Sequence, residues 1–166
     1  TAKQEGYPLT RVDILDETGE KALGKPQGSY LTIDLTTFWQ RKEDFFIRAV
    51  RAIGSQLKAL LPEDGEALII GLGNPAMTPD SIGPLSLKHL LVTRHLIAAM
   101  PRYFSGFRPV SACSTGVLGT TGLESAEMVQ GLVKQTNPAV VIAVDALASR
   151  RTGRLCTTVQ LSDTGI

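Results

Sequence analysis

ALIIGLGNPAMTPDSIGP, residues 67–84, passes from an apolar run through a glycine- and proline-rich break to the start of a helical pattern. Ala67 to Ile70 is a short apolar run of the kind that forms a strand buried on both faces. Gly71, Gly73, Asn74, Pro75 and Pro79 then break regular structure, so a loop carrying Asp80 leaves the strand's end. Ser81 to Pro84 lead into a helical pattern. In an open parallel sheet, ligands bind in the crevice beyond the carboxyl ends of the strands. Asp80 therefore stands where a carboxylate can do chemistry.

Ala139 to Val144 (AVVIAV) is a second run of this kind, and it delivers Asp145 directly at its end. Val110 to Cys113 reads as a shorter strand whose exit, Ser114 to Gly122, is rich in glycine and hydroxyls. Glu43 to Leu61 is a helix with one apolar stripe of Phe46, Val50, Ile53, Leu57 and Leu60, ended by Pro62, Asp64 and Gly65. A second helix is expected from Leu85 to Met100, stopped by Pro101, and a third from Glu124 to Gln135, stopped by Asn137-Pro138. Leu155 to Leu161 alternates as a last strand. Strands alternating with helices predict right-handed crossovers and a mostly parallel α/β sheet with helices on both faces. Ahead of it, Leu9, Val12, Ile14, Tyr30, Leu31 and Ile33 read as an N-terminal antiparallel hairpin on the domain's edge, punctuated by Gly19, Gly24, Pro26 and Gly28. The expectation is one α/β domain over 1–166, with 1–35 as the hairpin region and 36–166 as the core.

Composition narrows the function classes. A chain of 166 residues is long enough to bury a real core. A net charge of +1 gives no sign of a nucleic-acid or anionic-membrane partner. No apolar run approaches the roughly 20 residues of a membrane helix, and no signal peptide is visible. Cys113 and Cys156 suit a reducing compartment better than a disulfide framework. Because the chain begins at Thr1 without Met and stops just after a strand, it is expected to be a processed or trimmed piece.

Parallel strands put Asp80, Asp145 and the Ser114–Gly122 loop on one rim. Two carboxylates there can share a proton, since like charges close together do not both ionise cheaply. One then acts as base toward a water while the other, protonated, polarises a carbonyl. Ser114, Thr115, Gly116, Gly119, Thr120, Thr121 and Gly122 form the candidate substrate and oxyanion loop. Asn74 and Asp163 are further crevice candidates. The bland alternative is that an Asp at a strand's end simply caps the next helix.

Other motifs are discounted. Gly71 to Ala76 fits G-x-G-x-x-A, yet Pro75 and Pro79 delay the helix whose N–H groups a pyrophosphate needs. Asp163-Thr164-Gly165 spells the triplet of pepsin-like proteases, which are all-β, so its plain reading is a turn. His89 and His95 do not share the i, i+4 face of a metal-binding pair, and no metal or other cofactor is expected. Cys113 follows a buried run but has no placed His partner.

The ordered set of segments resembles the germination proteases of spore-forming bacteria. They are GLGNPAMTPDSIGP, LLVTRHL (Leu90–Leu96), RPVSACSTGVLGTTGLE (Arg108–Glu124), VVIAVDALASR (Val140–Arg150) and TTVQLSDTGI (Thr157–Ile166), with LGKPQGSYLTIDL (Leu23–Leu35) ahead of them. The resemblance implies an atypical aspartic endopeptidase, made as a zymogen, that degrades small acid-soluble spore proteins during germination. It implies that Asp80 and Asp145 are the catalytic pair, that the protein works in the forespore and spore core, and that it forms a homo-oligomer, a tetramer in the family. It also implies a fold like that of hydrogenase maturation proteases, in which acidic residues at corresponding loops bind a metal. The family's usual amino-terminal segment with its processing site, and its glycine-rich continuation after SDTGI, are not in the sequence.

Two alternatives stand beside this. GLGNP with Thr93-Arg94-His95 is similar to peptidyl-tRNA hydrolases, although there the second element follows far more closely. The other is a non-catalytic relative that only binds spore proteins, for which keeping both Asp80 and Asp145 has no use.

Overall fold

Period-two alternation at the start of the chain and apolar runs in its middle produce two different sheets. A computed structural model describes residues 2–149 and 151–165. Thr1, Arg150 and Ile166, which end the first expected strand region and two of the motif segments, lie outside the described residues. In chain order the first elements are β1 (Ala2–Gln4), β2 (Tyr7–Ile14), α1 (Glu17–Leu23), β3 (Gly28–Asp34), α2 (Phe45–Leu60) and β4 (Ala67–Leu72). Then follow α3 (Ile82–Ser86), α4 (Arg94–Ala99), α5 (Pro101–Phe104), β5 (Val110–Gly116), α6 (Leu118–Thr121), α7 (Ser125–Thr136), β6 (Val140–Val144) and β7 (Thr158–Ser162). The architecture is α/β: a parallel sheet of order β5-β4-β6 and an antiparallel sheet of order β1-β2-β3-β7. The chain divides into two compact units, residues 1–61 with 147–166, and residues 62–146.

In the first unit the expected hairpin is β2 with β3, in register from Leu9↔Ile33 to Ile14↔Gly28. The last strand begins later than the alternation suggested, at Thr158, and pairs antiparallel with β3. The hairpin is not closed by a tight turn but by α1, which was not anticipated. Its signals are in the sequence: the Asp16 carboxylate accepts the Gly19 N–H at 2.8 Å, and Gly24 ends the helix in the left-handed conformation.

The apolar stripe assigned to α2 needs correction. Phe46 and Val50 face solvent, whereas Ala49 and Ala52 are buried with Tyr7 and Ile33. Alanine carries nothing past Cβ, so this face lets the helix backbone close on the sheet, which a row of bulky side chains would hold off. Ile53 joins the cluster, and the Tyr7 hydroxyl donates to the Phe45 carbonyl at 2.9 Å. At the end of β3, the Thr36 hydroxyl and N–H both donate to the Asp34 carboxylate and hold its pKa below the usual 3.8.

In the second unit β4 is the central strand, parallel to β5 and to β6. Residues 67–71 are all buried, and since successive side chains point to opposite faces, both faces of β4 are covered. α3 packs on β4 and β6, and α7 packs on β4 and β5. The Arg108 guanidinium donates to the carbonyls of Pro62, Asp64 and Gly65, tying the entry of β5 to the entry of β4.

The helix expected over Leu85–Met100 is broken. α3 and a 3-10 turn over Leu87–His89 end at Leu90, which is extended, and α4 starts only at Arg94. The cause is Thr93. Its N–H donates to the Val110 carbonyl, and its buried hydroxyl donates to the Arg108 carbonyl and accepts the Val110 N–H at 2.9 Å. This pairing with β5 competes with the helix and wins. As expected, the helical stretch ends ahead of Pro101, with α4 capped by Met100, and Pro101 itself then opens α5 at a position where a missing N–H costs nothing.

Two consequences are measurable. Thr93→Val keeps the shape but leaves the Arg108 carbonyl and Val110 N–H without their partner, so urea unfolding should show a loss of about 1–3 kcal/mol. Because the Asp34 pKa is lower folded than unfolded, its contribution is complete above about pH 4 and is lost as pH falls through the folded value. The acid limb of the unfolding midpoint should therefore be shallower in Asp34→Asn than in the parent chain.

Candidate active site

The carboxyl ends of β4, β5 and β6 finish abreast. Gly71 pairs with Ser114 on one side and with Val144 on the other, and Asp145 is the next residue. Helix α3 enters this rim through Gly83. A Cβ there would lie 2.2 Å from the Leu72 carbonyl oxygen and 2.4 Å from that of Val144. Only a glycine lets the helix backbone sit across the ends of both strands. Neighbouring strands are about 4.8 Å apart, so Asp145 after β6 and the loop that leads from β4 into α3 both leave the same edge of the sheet.

That loop holds Asp80 by its backbone. Asp80 ends a 3-10 turn, Thr78–Asp80, and is half-buried. Its Oδ2 accepts the Asn74 N–H at 2.8 Å. Gly73 has φ +109°, and a Cβ on it would fall 2.1 Å from the Asp80 carbonyl oxygen and 2.9 Å from Asp80 Oδ1. Asp145 is exposed, and its Oδ1 accepts the Ala146 N–H at 2.7 Å. Each carboxylate thus has one oxygen engaged by one backbone N–H.

Ser114, Thr115 and Gly116, expected in a loop, are the last residues of β5. The register slips there, with Gly71 opposite Ser114 but Leu72 opposite Gly116, so Thr115 is the extra residue of a bulge. Thr115 is buried, and its hydroxyl shares a 3.0 Å hydrogen bond with Ser125 and reaches the Gly116 carbonyl. Ser114 is exposed. Thr120 and Thr121 donate both hydroxyl and N–H to the Val117 carbonyl, and Gly122 donates its N–H to Leu118. Gly119 lies in α6 with open space above it. Among the described residues, Ser114 is the hydroxyl-bearing candidate whose side chain makes no hydrogen bond to the local structure.

Asn74 belongs to the same loop, and its Oδ1 accepts the Ala76 N–H at 2.9 Å. Asp163 lies in the first unit, where its Oδ1 accepts the Ser29 N–H at 2.8 Å and clips the end of β7 to β3. Gly71 carries a signal in the sequence, since a glycine inside a buried apolar strand marks close backbone approach, whereas Gly83 gives none before the fold is known. Cys113 is half-buried in β5, and its thiol lies 3.6 Å from the Ser114 carbonyl.

Among the described residues, no group of three or more His, Cys, Asp and Glu is placed to hold a metal ion. A pair of carboxylates with one oxygen each already committed to backbone does not make up the three protein ligands of a typical catalytic zinc. Among the described residues no helix is long and apolar enough to cross a membrane.

With the rim in view, comparison with known proteins is informative. A family model described as germination protease matches residues 1–166. The chain belongs to the germination protease family. It is 47% identical to the germination protease of Caldanaerobacter subterraneus subsp. tengcongensis over 166 residues, covering 98% of this chain and 51% of that protein. The Clostridium perfringens germination protease is 44% identical with the same coverage. That of a Geobacillus species is 41% identical over 170 residues, covering 98% of this chain and 45% of its own length. The chain thus spans about half the length of the curated relatives it matches.

The wedge at Gly83 is open to test. Gly83→Ala forces a Cβ into two carbonyl groups and should cost about 3 kcal/mol or more in urea unfolding. Gly131→Ala in α7, where the Cβ meets nothing within 4 Å, should be neutral or stabilising by up to about 1 kcal/mol.

Proposed function

We propose that this chain carries the catalytic centre of an endopeptidase that degrades small acid-soluble spore proteins during germination, with Asp80 and Asp145 activating the attacking water. What supports the reading is that Asp145 follows β6 and Asp80 lies in the loop after β4, two adjacent parallel strands, with each carboxylate accepting one backbone N–H through one oxygen. Membership of a family whose relatives are named germination protease supports the same reaction class.

The chemistry assigned to the pair uses the second oxygen of each carboxylate. Asp80 Oδ1 and Asp145 Oδ2 flank the water, and the pair holds one proton between them. The ionised member takes a proton from the water as its oxygen attacks the peptide carbonyl. The protonated member donates to the carbonyl oxygen, so a neutral gem-diol forms. On collapse the carbon–nitrogen bond breaks, the amine nitrogen takes a proton from the carboxyl that gained one, and the gem-diol returns the other. The roles of base and acid are assigned to the dyad rather than to one residue. Ser114 and the backbone about Gly116 and Gly119 are assigned to substrate or the developing oxyanion. Action in the spore interior and assembly into a homo-oligomer belong to the same reading.

The test is hydrolysis of a purified small acid-soluble spore protein by this chain and by a full-length relative, each with and without chelator. Asp80→Asn and Asp145→Asn, made here and at the matching positions of the relative, should each lower kcat by at least about 10³-fold, as loss of members of a catalytic unit does. Chelator should leave the rate unchanged. Full activity in both variants overturns the aspartate reading, and loss with chelator turns it toward a metal-dependent hydrolase.

A further inference from the structure

We propose that Asn74 is the positioning residue for Asp80, setting which carboxylate oxygen faces the substrate. The inference rests on the reading of Asp80 as catalytic and adds what fixes its geometry. The loop from Asn74 to Asp80 has no packing to hold it: residues 75–79 are all exposed. Pro75 and Pro79 offer no N–H, so few bonds are available to order it. Asn74 makes three of those that exist. Its side-chain Oδ1 accepts the Ala76 N–H at 2.9 Å, its carbonyl accepts the Met77 N–H at 3.1 Å, and its own N–H donates to Asp80 Oδ2 at 2.8 Å. Met77 in turn accepts the Asp80 N–H at 2.9 Å, which closes the ring.

The side chain is the part of this ring that mutation can remove. An Asn oxygen bonded two residues ahead is an Asx turn; it folds the chain around Pro75 and orients the Asn74 peptide toward Asp80. Gly73 supplies the other half of the aim, since φ +109° and the absence of a Cβ are what let Asp80 come against the strand end. With Oδ2 held by Asn74, Oδ1 is the oxygen presented to the water. The chemical consequence is an orientation, so its loss should appear in kcat.

Asn74→Ala removes the Asx acceptor. Asn74→Ser keeps a shorter acceptor, and Asn74→Asp keeps the acceptor but adds a charge beside Asp80. In a full-length relative with the matching changes, Asn74→Ala should lower kcat about 10- to 100-fold, the scale of an ångström-sized misplacement. KM should move less than threefold. Asn74→Ser should recover part of the loss. Asn74→Asp should move the acid limb of the pH–rate profile to higher pH, because a like charge disfavours ionisation of Asp80.

On the 166-residue chain, the Asn74 amide proton shift should follow the titration of Asp80 by NMR, and Asp80→Asn should abolish that response. An Asn74 amide that does not sense Asp80, or an Asn74→Ala enzyme with unchanged kcat, overturns the positioning role while Asp80→Asn remains inactive. An active Asp80→Asn enzyme instead overturns the catalytic reading beneath it.

Discussion

The close approach of Gly83 to the carbonyl ends of β4 and β6 is the contact on which the candidate site depends. Two parallel strands present carbonyl oxygens at their ends, and a helix crossing them must bring its backbone almost into contact. Gly71 makes the same demand from the strand side, since a Cβ there would lie 2.7 Å from the Gly83 carbonyl oxygen. These glycines contribute no contact energy of their own. They set a distance, and the distance determines where the loop before α3 can carry Asp80.

Backbone, more than side chains, shapes the electrostatics of the rim. Asp80 and Asp145 each accept one main-chain N–H, from Asn74 and Ala146. Such bonds are short-range and directional, and they survive changes in the side chains around them. They orient each carboxylate through one of its oxygens. The hydroxyl-rich segment opposite behaves differently, since Thr115, Thr120 and Thr121 turn their hydroxyls onto their own backbone or onto Ser125. Their abundance reflects how a bulge and a one-turn helix are stabilised as much as any chemistry.

Where sequence patterns misled, a specific tertiary partner had taken over. The leucines from Leu85 onward have helical spacing, but Thr93 found β5 and broke the helix. The large apolar residues of α2 mark one face, but close packing selected Ala49 and Ala52 on another. In both cases local periodicity registers how apolar a position is and cannot register how near a neighbour comes. The capped helix α1 is the opposite case: Asp16 and Gly24 spelled it out locally, and it lay within a stretch read as hairpin.

Sequence alone determined that β4 is a strand buried on both faces, because only a covered parallel sheet tolerates ALII without polar relief, whereas VVIAV, which reads the same way, forms the half-exposed β6 beside it, with Val141 and Ala143 facing solvent. It also determined that Asp80 and Asp145 come after strands, since Gly73, Asn74 and Pro75 end β4 and Asp145 ends β6. The N-terminal hairpin was legible for the same reason of alternation. Tertiary structure decided the rest: that Leu155 onward pairs with β3, that Thr115 is a bulge, that Asn74 reaches Asp80, and that Gly83 spans two strand ends. Each of these is a distance between groups set by chain geometry, and no residue's identity carries a distance until its neighbours are in place.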